Sequence, residues 1–200
     1  MKKGLIALLA VVLVLFIIAG SFFGSYNKLQ VLDESVNSQW AQIQNQLQRR
    51  SDLIPNLVNT VKGYAAHEKQ IFVAVADARS RLAGAVKKGD VKGVNQANGE
   101  FNGALSRLLA IAENYPQLKA NENFLQLQSQ LEGTENRIAV ERKKFNEAVQ
   151  EYNTSTRTFP RVIVAKMFGF KEKEYFKAKE GSENAPDVKF DFNGKPEEKK

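Results

Sequence analysis

Hydrophobic and polar positions divide the chain into two regimes. From Leu5 to Ala19 the residues are apolar without a break, and no charged side chain occurs from Gly4 to Asn27. As a helix, Leu5–Phe23 extends ~28 Å, close to the ~30 Å hydrocarbon core of a bilayer. Lys2 and Lys3 precede it, and Phe22, Phe23 and Tyr26 stand where interfacial aromatics belong. From Leu29 the pattern becomes periodic, with Leu29, Leu32, Val36, Trp40, Ile43, Leu47, Arg50, Ile54, Leu57, Val61 and Tyr64 recurring every ~3.5 residues. Arg50 is the one polar member. This predicts a narrow seam on one long helix, with a solvated remainder rich in Gln and Asn: Gln39, Gln42, Gln44, Asn45, Gln46 and Gln48. Pro55 removes a backbone donor inside this helix and disfavours helical geometry at Ile54. Either the helix kinks there or a new one starts near Asp52. The apolar phase continues across the proline, which favours a kink.

A second helix is predicted from about Glu68 to Ala85, with Ile71, Val75, Ala78 and Leu82 on one face. Lys87–Gly93 reads as a turn by composition. A third helix runs from about Val94 to Asn114 on Phe101, Leu105, Leu108, Leu109 and Ala112, and Tyr115-Pro116 ends it. The fourth uses Phe124, Leu127, Leu131, Thr134, Ile138, Phe145, Val149 and Tyr152, with one turn of the seam skipped between Ile138 and Phe145. Thr158-Phe159-Pro160 reads as the start of a short helix that Gly169 stops. Val188–Phe192 is the one short strand candidate. The expected fold is therefore all-α: an N-terminal transmembrane helix, an elongated antiparallel four-helix bundle, a short C-terminal helix and a mobile tail. The expected divisions are an anchor over 1–24, the bundle over 25–176 and a flexible tail over 177–200.

The anchor has a competitor. Ala19-Gly20-Ser21 puts small residues where a signal peptidase cuts, but the apolar run is at the long end for a signal peptide and helical patterning resumes almost at once. A permanent single-pass span is the preferred reading. Lys2 and Lys3 face only Lys28 on the far flank, so the positive-inside rule places the short end in the cytoplasm and the bundle outside the cytoplasmic membrane.

Composition narrows the chemistry. The 200 residues include no cysteine and one histidine. That removes disulfides, thiolate metal sites, cysteine nucleophiles and any multi-histidine centre. A di-metal carboxylate bundle needs Glu-x-x-His twice, whereas Tyr64 stands three residues before His67. His67 reads as a helix-end residue. No Gly-x-Ser-x-Gly, Walker or Rossmann glycine pattern occurs. The recurring Glu113, Glu122, Glu132, Glu135 and Glu141 interleave with Arg137, Arg142, Lys143 and Lys144, as on a solvated helix face. The net charge of +7 is spread in modest excesses over 1–23, 61–100 and 151–200, without a basic block bearing aromatics, so nucleic acid is not an expected partner. No cofactor or metal is expected.

Particular stretches carry a family likeness. They are Tyr26-Asn27-Lys28-Leu29, Trp40-Ala41-Gln42-Ile43, Gln46-Leu47-Gln48-Arg49-Arg50-Ser51-Asp52-Leu53-Ile54-Pro55-Asn56-Leu57-Val58, Val61-Lys62-Gly63-Tyr64 and His67-Glu68. Further along are Glu113-Asn114-Tyr115-Pro116, Leu118-Lys119-Ala120, Thr134-Glu135-Asn136-Arg137-Ile138-Ala139, Tyr152-Asn153 and Phe159-Pro160. Together they resemble the signature of the bacterial LemA family over about Tyr26 to Phe176, with Phe145-Asn146 where a tyrosine-asparagine pair is often seen. The resemblance implies a single-pass membrane protein with an antiparallel helical bundle, no known catalytic activity and a poorly defined role. Family members have been described with the bundle facing the cytoplasm, against the lysine count.

Polar motifs in a helical seam suggest inter-helix contacts. Asp52, Asn56, Asn136 and Arg137 are candidates for a buried network, and Arg50 with Glu135 for a pair that fills the polar gap in the first seam and fixes its register. Two surfaces stand out. Lys87, Lys88 and Lys92, with Arg79 and Arg81 nearby, make a local basic excess whose plain reading is a soluble loop and whose sharper one is contact with anionic headgroups. Arg161, Val162, Ile163, Val164, Met167, Phe168 and Phe170 form an apolar segment flanked by bases. It either closes the bundle core or docks to a subunit or bilayer. The expected function is that of a non-enzymatic, membrane-anchored scaffold that binds protein partners or self-assembles at the bacterial envelope. A lipid-surface or envelope-remodelling protein is the alternative.

Overall fold

A computed structural model describes residues 2–177. The tail beyond, with the strand candidate Val188–Phe192, lies outside the described residues. Helix α1 (Lys2–Lys62) is uninterrupted for 61 residues, a rod of ~90 Å. Its N-terminal part contacts little else: the large apolar side chains from Ile6 to Ile18 are 42–73% exposed. It is the one described helix long and apolar enough to cross a membrane. From Ser25 onward one stripe of α1 is buried, and it follows the predicted seam through Leu29, Leu32, Val36, Ile43, Leu47, Arg50, Ile54, Leu57 and Val61, with Trp40 half-buried; the last predicted member, Tyr64, lies past the helix end and is exposed. The helix passes through Pro55 with no second start at Asp52. Pro55 is exposed, while Ile54 and Leu57 are buried in the main core. The proline ring thus sits on the solvent side, and packing on the opposite side holds the two segments in one phase.

Helices α2 (Lys69–Lys88) and α3 (Val91–Asn114) form a tight hairpin. Both reach further into the Lys87–Gly93 segment than its composition indicates, because two residues do the turning. Gly89 adopts φ 69°, a left-handed conformation that suits glycine. Asp90 then caps α3, its carboxylate accepting from the Lys92 amide at 3.1 Å. One further turn, α4 (Pro116–Lys119), has no counterpart in the periodicity. Helix α5 (Glu122–Arg157) starts at Asn121, whose side chain accepts from the Phe124 amide at 3.0 Å. Helix α6 (Arg161–Phe168) ends at Gly169, φ 75°.

Cross-helix contacts fix the topology. α2 returns antiparallel along α1, with Lys62 over the Phe72 ring, Arg79 on Ser51 and Gln44 on the Val86 carbonyl. α3 turns back beside it, pairing Glu100 with Arg81. α5 runs antiparallel to α1 along its length, through Tyr64–Asn121, Arg50–Glu135, Trp40–Phe145 and Lys28–Glu151. The four-helix section is thus the part distal to the apolar span. Proximal to the α2–α3 turn α1 and α5 continue as a pair, with α6 packed on both and the chain after it extended along α5. One core cluster spans both sections, and a small second one joins Leu29 to Val164 and Ala165. Among the described residues no strand forms.

Candidate functional site

The distal interior holds one polar cross-brace. Arg50 occupies a seam position on α1 and is 5% exposed. Its Nη1 donates to Asn102 Oδ1 of α3 at 2.7 Å and to Glu135 Oε2 of α5 in a short charge-assisted contact. The guanidinium lies 5.3 Å from the centre of the Phe101 ring. Arg142 fills the turn that the α5 seam skips, half-buried, with its guanidinium 5.2 Å from the Phe176 ring. Burial pushes the pKa of both arginines below the usual guanidinium range, Glu135 opposes that in each, and Arg142 adds to the lowering at Arg50. The Glu135 side chain is 40% exposed, so water reaches the pair's carboxylate. The arrangement ties three helices together at one level.

The candidate network of six residues resolves into this pair and four side chains on the surface. Asp52 is exposed and accepts from Gln48 Nε2 at 2.8 Å. Asn56, Asn136 and Arg137 are exposed as well. The reason is rotational: at ~100° per residue Asp52 lies about 200° round α1 from Arg50. Asn136 and Arg137 fall between the buried Thr134 and Ile138 on α5. Asn102 takes part instead and does not stand out in the sequence, while Arg142 acts on the pair through its charge alone.

The proximal section shows contacts that periodicity misses. The segment after Gly169 lies extended along α5, held by two asparagine side chains. Asn153 donates to the Lys173 carbonyl at 2.9 Å and accepts from the Lys173 amide at 2.8 Å. Asn146 does the same with Phe176, at 2.9 Å in both directions. Seven residues separate the asparagines, so they share one face of α5. Phe176 packs 5.7 Å from Trp40 and 5.5 Å from Phe145. Lys173 reaches α1, with Nζ 2.8 Å from Asp33 Oδ1 and 3.2 Å from Asn37 Oδ1. It also lies over the Tyr152 ring. Burial, and the nearby Asp33 charge, raise the Tyr152 pKa. The available signal was Asn146 and Asn153 on the buried side of a helix.

The two candidate surfaces are separate. Lys87, Lys88 and Lys92 are exposed at the α2–α3 turn, beside Trp40 and Val91. Trp40 is ~25 Å along α1 from Phe23. The second surface lies at the other end. In α6, Val164 and Ala165 are buried against Leu29, while Arg161 and Val162, and Phe170 just past the helix, are half-buried. Ile163, Met167 and Phe168 are 53%, 67% and 51% exposed, and Phe159 before them 81%. The α6 helix therefore only half closes a core. His67 lies in the α1–α2 connection, its carbonyl accepting from the Lys69 amide. Among the described residues no group of three or more His, Cys, Asp or Glu side chains is placed to hold a metal ion.

The sequence profile of the LemA family matches residues 39–190. The chain belongs to the LemA family. It is similar to the magnetosome protein MamQ of Magnetospirillum gryphiswaldense, with 28% identity over 204 residues covering 90% of this chain and 75% of the relative. It is likewise similar to the magnetosome proteins MamQ 1 and MamQ 2 of Paramagnetospirillum magneticum, each 29% identical over 202 residues, 88% of this chain and 74% of the relative. Family membership and the apolar N-terminal helix make this LemA-family chain a membrane-associated helical protein.

Proposed function

We propose that this protein is a non-enzymatic, membrane-anchored scaffold of the bacterial envelope, acting through protein partners or self-association. The observation that carries the reading is the continuity of α1. The same helix that is apolar enough to span a bilayer forms the longest edge of the bundle, with no linker between them. A joint of that kind presents the bundle at a fixed height, as a stalk does, and a fixed height matters to a protein that other chains must find. The interior polar groups support it too. Arg50, Asn102 and Glu135, with Asn146 and Asn153, spend their hydrogen bonds on holding segments of the chain together.

The lysine distribution around the span supports a bundle on the extracytoplasmic face of the cytoplasmic membrane. Reporter fusions at the two termini test that orientation; activity of a cytoplasm-specific reporter at the C-terminus reverses it. The scaffold reading is tested by extracting the intact protein in a mild detergent and measuring its mass by light scattering. An assembly larger than one chain is expected. A lone monomer, also monomeric when cross-linked in the native membrane, refutes it.

A further inference from the structure

We infer that α6 is a membrane-contacting foot: the bilayer that holds the α1 span also covers the exposed apolar face of α6. The Phe168 ring lies 5.9 Å from the ring of Phe22, inside the apolar stretch of α1, and 4.8 Å from Tyr26 at its end. Residues 22 to 29 rise only ~10 Å along the helix axis, so a helix packed on Phe22, Tyr26 and Leu29 is held at the headgroup layer once the span is inserted. At that level its outer face is apolar. Ile163 and Met167, four residues apart, share one side, with Phe168 beside them. Elsewhere in the bundle exposed large apolar residues, such as Val31, Val73 and Val140, are scattered.

Charge agrees with a lipid occupant. Arg157 is paired with Glu172, whereas Arg161, Lys166 and Lys171 have no carboxylate partner among the described residues. Long basic side chains around a buried apolar face are what an interfacial helix presents to anionic headgroups. The lysines of the α2–α3 turn stand too far along α1 to join in, because charge attraction is screened within about 8 Å at physiological salt.

The inference rests on the anchor and is independent of the scaffold reading, since a foot on the bilayer leaves the assembly mass free. Its test uses the full chain, which has no cysteine, so that single cysteines label cleanly. Ile163→Cys, Met167→Cys and, as control, Lys88→Cys are labelled with an environment-sensitive fluorophore. Each is reconstituted at one copy per nanodisc of phosphatidylcholine and phosphatidylglycerol, with unchanged Trp40 emission reporting the fold. Nitroxide on shallow acyl carbons is expected to quench the labels at 163 and 167 several-fold more than the label at 88. Equal quenching at all three positions overturns the inference. So does shielding at 167 that arises only in discs with two copies, which makes the face a contact between chains.

Discussion

Asn153 holds the backbone of Lys173 by both of its polar ends, donating to the carbonyl and accepting from the amide. A side-chain amide that copies the pairing of a β-ladder replaces the secondary structure that this extended segment lacks. Truncating it leaves two backbone groups short of partners. Asn153→Ala is expected to destabilise the protein by about 2 kcal/mol. Hydrogen exchange should speed up at residues 173–177 and stay unchanged in α2 and α3. Asn153→Asp keeps the acceptor alone and should fall between. Uniform exchange changes across the bundle would contradict a local clamp.

The Arg50–Glu135 pair is asymmetric in burial, and its mutants should be asymmetric too. Glu135→Ala leaves Arg50 buried without its counter-charge, with Arg142 nearby, and should cost about 2 to 3 kcal/mol in chemical denaturation. That lies at and just below the range of about 3 to 5 kcal/mol for breaking fully buried pairs, because water reaches Glu135. Arg50→Met leaves a carboxylate that can hydrate and puts an apolar chain in an otherwise apolar seam. It is expected to cost less than Glu135→Ala. The reverse order would mean that the pair stabilises in its own right.

Trp40 is the sole tryptophan, and its ring stacks at an interplanar angle of 27° on Phe176. Phe176→Ala should shift Trp40 emission to the red and lower stability by about 3 kcal/mol, as for truncation of a buried aromatic. Unchanged emission would show that the extended segment does not cover Trp40 in solution.

Tyr152 gives a pH prediction. Burial, chiefly, and Asp33 raise its pKa above the ordinary value of 10.0. Below pH 10 the phenol is neutral in the folded and unfolded chains alike; above it the unfolded chain ionises first, so stability is lost as pH climbs through the folded value. Melting temperature should therefore be insensitive to Tyr152→Phe at neutral pH, and the wild type should lose more than the variant above pH 10. Arg50 and Arg142 act in the opposite sense, because burial lowers their pKa values, and both are present in wild type and variant alike. Parallel curves for wild type and variant would remove Tyr152 from the alkaline transition.

What the sequence makes legible follows from period. The α1 and α5 seams announce themselves because burial on one side of a helix recurs every three or four residues, and the Arg50–Glu135 pair is visible as a polar gap in one seam. Asp52, Asn56, Asn136 and Arg137 mislead for the same reason: they form a motif in the chain but face away from the seam. The α2–α3 turn is blurred by lysines that suit both a loop and a helix end. The segment after Gly169 has no period, since side chains of another helix satisfy its backbone. Such pairing depends on which residues meet in space, and only Asn146 and Asn153 hint at it.

The unbroken α1 has a mechanical consequence. Beyond Phe23 the helix continues to Lys62, a further ~58 Å. Spans tilt to fit the bilayer, typically by about 20°. With no joint at the surface, the whole bundle inclines with the span, and a tilt of that size carries the far tip sideways by ~20 Å. Once the span is inserted, the bundle is a lever arm with its fulcrum in the lipid, and a change in local membrane thickness is expected to displace its tip.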